Sequence, residues 1–214
     1  MRTGILFDLD GTLLDTLEDL KDSVNYALAQ YNCPPRTLDE VRDFIGNGAK
    51  KLIERSLPGK ENDPPVEDVL ATYQAYYKTH SKVKTKPYPG VTEALKSLGS
   101  KYPIAIVSNK PDAATKVLCK EFFGDVYARG ESTDCPRKPA PDMLQKAMQI
   151  IGADTCIYVG DSEPDVLTAK NLGVKCLSVL WGFRDRETLQ AVGAKYFCED
   201  PAKLVETLES MLSE

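Results

Sequence analysis

Histidine occurs once in this sequence, at His80, and that scarcity removes whole classes of chemistry. A zinc site built on two imidazoles has no second ligand of that kind, and Ser-His-Asp or Cys-His catalysis would hang on one residue with no motif around it. The six cysteines, at 33, 119, 135, 156, 176 and 198, lie far apart with no C-x-x-C pair. Disulfide staples and a catalytic thiol are both disfavoured, and these residues read as small buried hydrophobes. No apolar run approaches the roughly 20 residues of a spanning helix, and no apolar signal segment opens the chain. Nor is there an excess of positive charge. A formal net charge of -5 argues against nucleic acid or an anionic membrane as the main partner, while leaving room for a small anionic substrate. The expectation is a cytoplasmic protein whose chemistry belongs to carboxylates and a metal ion.

What is present is the composition of an ordinary globular chain, 42% hydrophobic and 28% charged over 214 residues. Five apolar runs read as buried strands: 5–9, 104–107, 126–128, 156–159 and 175–180, with a weaker sixth near Tyr196 and Phe197. Helical spacing fills most intervals, as in Leu144, Ala147, Met148 and Ile151, or Leu204, Leu208 and Leu212. Strands alternating with helices predict an α/β fold, a Rossmann-like, mostly parallel sheet with helices on both faces. The first strand breaks the alternation. Between Asp15 and Ile104 come only helical patterns (Leu17 to Tyr31, Ala49 to Ile53, Val66 to Tyr77) divided by proline-rich breaks. The simplest account is an α-helical subdomain at 15–85, inserted into a core made of 1–14 and 86–214.

Candidate chemistry gathers at the strand ends. In Asp8-Leu9-Asp10-Gly11-Thr12, two carboxylates stand two residues apart, where an extended chain projects them to one side. A hard divalent cation such as Mg²⁺ gives like charges a reason to sit together. Gly11 permits a tight turn, and Thr12 offers a hydroxyl and an N–H to an oxyanion. A second acidic cluster, Gly160-Asp161-Ser162-Glu163-Pro164-Asp165, follows the strand at 156–159. Asp161 and Asp165 would be further metal ligands or, more blandly, a helix N-cap and a first-turn dipole partner. Ser108 and Asn109 follow the strand at 104–107, and Lys138, in Arg137-Lys138-Pro139, precedes a helix and could neutralise phosphate charge. Each alone is weak.

The order D-x-D-G-T, S-N, K-P, G-D-x-x-x-D decides between readings. Taken together these motifs resemble the haloacid dehalogenase-like superfamily, specifically its phosphatases with a helical cap inserted after the first strand. The resemblance runs from about Ile5 to Leu180. It implies that Asp8 is a nucleophile carrying an aspartyl-phosphate and that Asp10 is the acid and base. It also implies Mg²⁺ held by Asp8, Asp161 and the Asp10 backbone carbonyl, with Asp165 supporting that shell. Ser108 and Lys138 would grip the phosphoryl oxygens, aided by Asn109, Gly11 and Thr12. The acid at position 10 disfavours dehalogenation.

In the insert, Gly46-Asn47-Gly48 precedes a helical pattern and could present Asn47 to a small anion, or be a plain turn. This G-N-G, with Pro87-Tyr88-Pro89-Gly90 and Trp181-Gly182, looks similar to the phosphoglycolate phosphatases. That likeness implies a small phosphate monoester as partner, 2-phosphoglycolate first, with Asn47 and Lys50 on its carboxylate. The alternatives are a β-phosphoglucomutase-like phosphomutase, or a phosphatase for a sugar phosphate, nucleotide or pyrophosphate.

Overall fold

The computed structural model describes residues 1–213. Two compact units emerge, one of residues 1–15 and 87–214, the other of residues 16–86. The chain runs β1 (Thr3–Phe7), β2 (Leu14–Asp15), α1 (Leu17–Gln30), α2 (Leu38–Phe44), α3 (Gly48–Ser56), α4 (Val66–His80), β3 (Lys86–Pro87), α5 (Val91–Gly99), β4 (Ile104–Pro111) and α6 (Asp112–Phe123). It continues through β5 (Tyr127–Glu131), α7 (Asp142–Ile151), β6 (Thr155–Gly160), α8 (Glu163–Leu172), β7 (Lys175–Val179), α9 (Arg186–Ala191), β8 (Tyr196–Cys198) and α10 (Leu204–Ser213). Among the described residues, no helix is long and apolar enough to cross a membrane.

The larger unit is built on a six-stranded sheet in the order β5-β4-β1-β6-β7-β8, parallel throughout. Alternation within β1 shows how both faces are covered. Ile5 and Phe7 join the cluster under α5, α6 and α10, with Leu95, Leu118 and Leu208. Leu6 points the other way, into the cluster with Leu144 of α7 and Ala169 of α8. The apolar runs of the sequence are therefore strands buried on both sides. Five cysteines are buried and the sixth, Cys33, is half-buried; all six are free.

Some details differ from the sequence expectation. β1 stops at Phe7 rather than Leu9, because the Leu9 carbonyl accepts the N–H groups of Thr12, Leu13 and Leu14 and turns the chain. β4 runs on through Ser108, Asn109 and Lys110, which were expected beyond the strand; a register shift against β5 between Val107 and Pro111 marks an irregularity there. The unit of residues 16–86 has four helices rather than three. The additional one, α2, carries a capping box in which Thr37 and Glu40 bond reciprocally, but it buries only Val41, so its periodicity is faint.

That unit has its own core, with Val24, Leu28, Val41, Leu52, Ile53, Val69, Tyr73 and Tyr77 all buried. Tyr73 and Tyr77 stack at 5.5 Å, while Tyr76 lies between Tyr26 and His80. Its two ends are tied by Asp19, whose carboxylate accepts from the N–H of Lys84 (3.0 Å) and of Thr85 (2.9 Å).

Candidate active site

β1 and β6 are parallel neighbours, with Phe7 opposite Val159, and the chain leaves β1 toward β4 on one side and β6 toward β7 on the other. The carboxyl ends of two strands whose crossovers diverge form a crevice, the usual ligand position in such sheets. Asp8 follows β1 directly, its N–H held by the Val159 carbonyl at 2.8 Å, and Asp161 follows β6. Carboxylate oxygens of Asp8, Asp161 and Asp165 lie within 4.8 Å of one another, and all three residues are buried.

The three carboxylates are not equivalent. Asp165 is saturated. Its Oδ1 accepts from Lys138 Nζ (2.7 Å) and the Tyr158 hydroxyl (3.0 Å), and its Oδ2 from the N–H of Asp161 (3.2 Å), the N–H of Ser162 (3.0 Å) and Ser162 Oγ (2.6 Å). Such a carboxylate braces its neighbours rather than offering lone pairs to an ion. Asp161 accepts one bond per oxygen, Thr12 Oγ1 to Oδ1 at 3.0 Å and Phe183 N–H to Oδ2 at 2.8 Å, which leaves lone pairs on both. Asp8 Oδ1 lies 2.9 Å from Lys138 Nζ but off the line of a hydrogen bond, so it is buried without a hydrogen-bond partner.

Electrostatics follow from that crowding. Burial first, then the charge of Asp165, pushes Asp8 up to about 7 against the pull of Lys138. The same two causes raise Asp161 well above the usual carboxylate range. Burial works against the Lys138 ammonium, yet Asp165 and Asp8 outweigh it and hold its pKa above that of an ordinary lysine. Three buried carboxylates thus face one ammonium, and Asp8 Oδ1 is held by an ion pair without a hydrogen bond. An all-oxygen donor set with surplus negative charge fits a hard divalent cation. The backbone is shaped around it. At Gly11, with φ +80°, a Cβ would stand 2.3 Å from Asp161 Oδ2; at Gly182 it would stand 2.4 Å from both Asp161 Cβ and the Gly11 carbonyl.

The remaining expected residues fall differently. Asp10 turns its carboxylate to Lys110, at 2.9 and 2.8 Å. Thr12, expected to serve an oxyanion, spends its hydroxyl on Asp161 and its N–H on the Leu9 carbonyl at 3.4 Å, and the Gly11 N–H goes to Leu14 at 2.9 Å. Asn109, expected at the phosphoryl oxygens, clamps the Lys138 peptide: its Oδ1 accepts from Lys138 N–H at 2.8 Å and its Nδ2 donates to the Lys138 carbonyl at 3.1 Å. Ser108 is buried, and its Oγ accepts from Lys110 N–H at 3.3 Å, which leaves the hydroxyl proton to donate. In the other unit, Asn47 precedes α3 without a side-chain capping bond, its Oδ1 accepting from Arg55 at 2.8 Å, and Lys50 pairs with Glu67. Three participants were missed: Lys110, Tyr158 and the Trp181–Phe183 loop. Trp181 stood inside a quoted motif and Lys110 directly follows Ser108-Asn109, but Tyr158 inside an apolar strand carried only the faint signal of a phenol among aliphatics.

Known proteins similar to this chain share its family and fold. The family described as haloacid dehalogenase-like hydrolase matches residues 5–179. Phosphoglycolate phosphatase 1 of Pseudomonas aeruginosa is 34% identical over 97% of this chain and 78% of its own length. A phosphoglycolate phosphatase of Cereibacter sphaeroides is 35% identical over 85% of this chain and 86% of its own. The crystal structure of a proposed phosphoglycolate phosphatase from Lactobacillus delbrueckii subsp. bulgaricus superposes with a TM-score of 0.87 at 34% identity, covering 97% of this chain and 99% of that one.

Proposed function

The chain belongs to the haloacid dehalogenase-like hydrolase family, and we propose that within it this protein is a Mg²⁺-dependent phosphatase acting on 2-phosphoglycolate through an aspartyl-phosphate. One observation carries the reading: Asp8 and Asp161, 153 positions apart in the chain, bring carboxylate oxygens within 4.8 Å of each other beside a buried lysine. A nucleophile, a cation site and a phosphate counter-charge then occupy one crevice.

Asp8 attacks phosphorus, the bond to the ester oxygen breaks, and Asp10 gives that oxygen a proton. Water then attacks the acyl phosphate, its proton passes to Asp10, and inorganic phosphate leaves with Asp8 restored. Lys138 balances phosphoryl charge, and Ser108 donates its hydroxyl proton to a phosphoryl oxygen. The Asp8 and Asp161 carboxylates and the Asp10 carbonyl would hold Mg²⁺, which supplies positive charge to the phosphoryl oxygens when bound. Asp165 keeps Lys138 and the turn at Ser162 in place. We assign recognition of the substrate carboxylate to Asn47 and Lys50 of the inserted unit, and place the protein in the cytoplasm.

The test is phosphate release over a panel of small esters, with Mg²⁺ and with EDTA. 2-Phosphoglycolate should be turned over only with the cation, and Asp8→Asn should abolish turnover. Efficiency about ten-fold better on a sugar phosphate, nucleotide or pyrophosphate would remove the substrate assignment. Near-normal turnover by Asp8→Asn would remove the nucleophile.

A further inference from the structure

Among the described residues, Lys110 is a buried cation near the site that the scheme above leaves without a task. Its side chain is 2% exposed, and its ammonium reaches both oxygens of Asp10, at 2.9 and 2.8 Å. The backbone beneath it is fixed from both sides: Lys110 N–H donates to Ser108 Oγ at 3.3 Å, and the Lys110 carbonyl accepts from Thr115 Oγ1 at 3.2 Å. Burying a long cationic chain is costly unless its partner requires it, and a methionine would fill the same volume. Asp10, for its part, sits between β1 and β2 in an isolated bridge to Leu14, and both oxygens of its carboxylate accept from this one ammonium.

We propose that Lys110 is a positioning residue for Asp10, gripping both carboxylate oxygens so that one fixed orientation serves both the departing ester oxygen and the incoming water. The proposal rests on the reading of Asp10 as proton donor and acceptor. Two charge-assisted hydrogen bonds from one ammonium hold the tip of the carboxylate, and with it the χ1 rotamer of Asp10, in one place. Misplacement of a catalytic group by about 1 Å costs on the order of 10²-fold.

The test separates positioning from packing by the leaving group. The measured quantity is kcat/KM, which covers steps through phosphoryl transfer to Asp8, for an alkyl ester (2-phosphoglycolate) and an aryl ester (4-nitrophenyl phosphate). A phenolate departs with little need of a proton; an alkoxide does not. Lys110→Met should lose on the order of 10²-fold on the alkyl ester and at least about ten-fold less on the aryl ester. Asp10→Asn should show the same selective pattern, and more steeply. Equal losses of Lys110→Met on both esters, beside a selective Asp10→Asn, would overturn the positioning role alone. An unselective Asp10→Asn would instead overturn the reading of Asp10, and the role of Lys110 with it. Should Lys110→Met fail to fold, Lys110→Gln keeps one donor toward Asp10 and the same ratio decides.

Discussion

Protons and the metal ion compete for the same carboxylates, so cation affinity should fall steeply in mild acid. Asp8 is raised from 3.8 to about 7, and Asp161 is raised as well. Below about pH 7 the cluster carries a proton that a divalent ion must displace. For the first proton alone, going from well above pH 7 to about pH 5.5 should weaken apparent Mg²⁺ affinity roughly 30-fold, about 2 kcal/mol at 1.4 kcal/mol per pH unit. The sign for the metal-free chain runs the opposite way. A carboxylate whose pKa is higher folded than unfolded makes the native state hold more protons between 3.8 and about 7. Stability from this group therefore falls as pH rises through that window, by roughly 4 kcal/mol. Mg²⁺ should accordingly raise the melting temperature much more at about pH 8 than at about pH 5.5, where proton and ion contend. Melting with EDTA or Mg²⁺ across that range reads the stability. Trp181, the sole tryptophan, donates its indole N–H to the Thr12 carbonyl at 3.0 Å, and its fluorescence should report the ion. Apparent affinity constant within about three-fold from pH 5.5 to 8.5 would refute the reasoning.

Two substitutions probe the frame around the carboxylates. Gly182→Ala would force a methyl to 2.4 Å from Asp161 Cβ and the Gly11 carbonyl. It should cost about 1–3 kcal/mol, a fall of several degrees in melting temperature, and abolish the Mg²⁺-dependent rise in the same scan. Tyr158→Phe removes a hydroxyl bonded to Lys138 (2.9 Å), Asp165 (3.0 Å) and the Val107 carbonyl (3.0 Å). The cost should be about 1–3 kcal/mol in denaturant unfolding, with kcat reduced less than by Lys138→Met.

The sheet and the strand-end aspartates were legible because both signals are local. An apolar run names a buried strand, and a D-x-D-G-T turn carries its carboxylates and its glycine in five consecutive residues. What stayed hidden depends on contacts far along the chain. Nothing near Lys110 announces Asp10, 100 positions away, and nothing near Phe183 says that its N–H caps Asp161. Asn109 shows the same limit from the other side: its place near a strand end was readable, but its pairing with the Lys138 peptide was not. α2 escaped notice because a helix burying one valine has almost no apolar stripe; its signal lay in Thr37 and Glu40.

Asp19 has a consequence for how such a chain can diversify. By pinning residues 84 and 85 to the first turn of α1, it makes the inserted segment begin and end in one place. The entropy of a chain between fixed ends grows only with the logarithm of its length. Helices between those anchors can be lengthened, trimmed or exchanged at small thermodynamic penalty. A lineage could thus rebuild this unit as a separable cassette, leaving the aspartates of the sheet untouched.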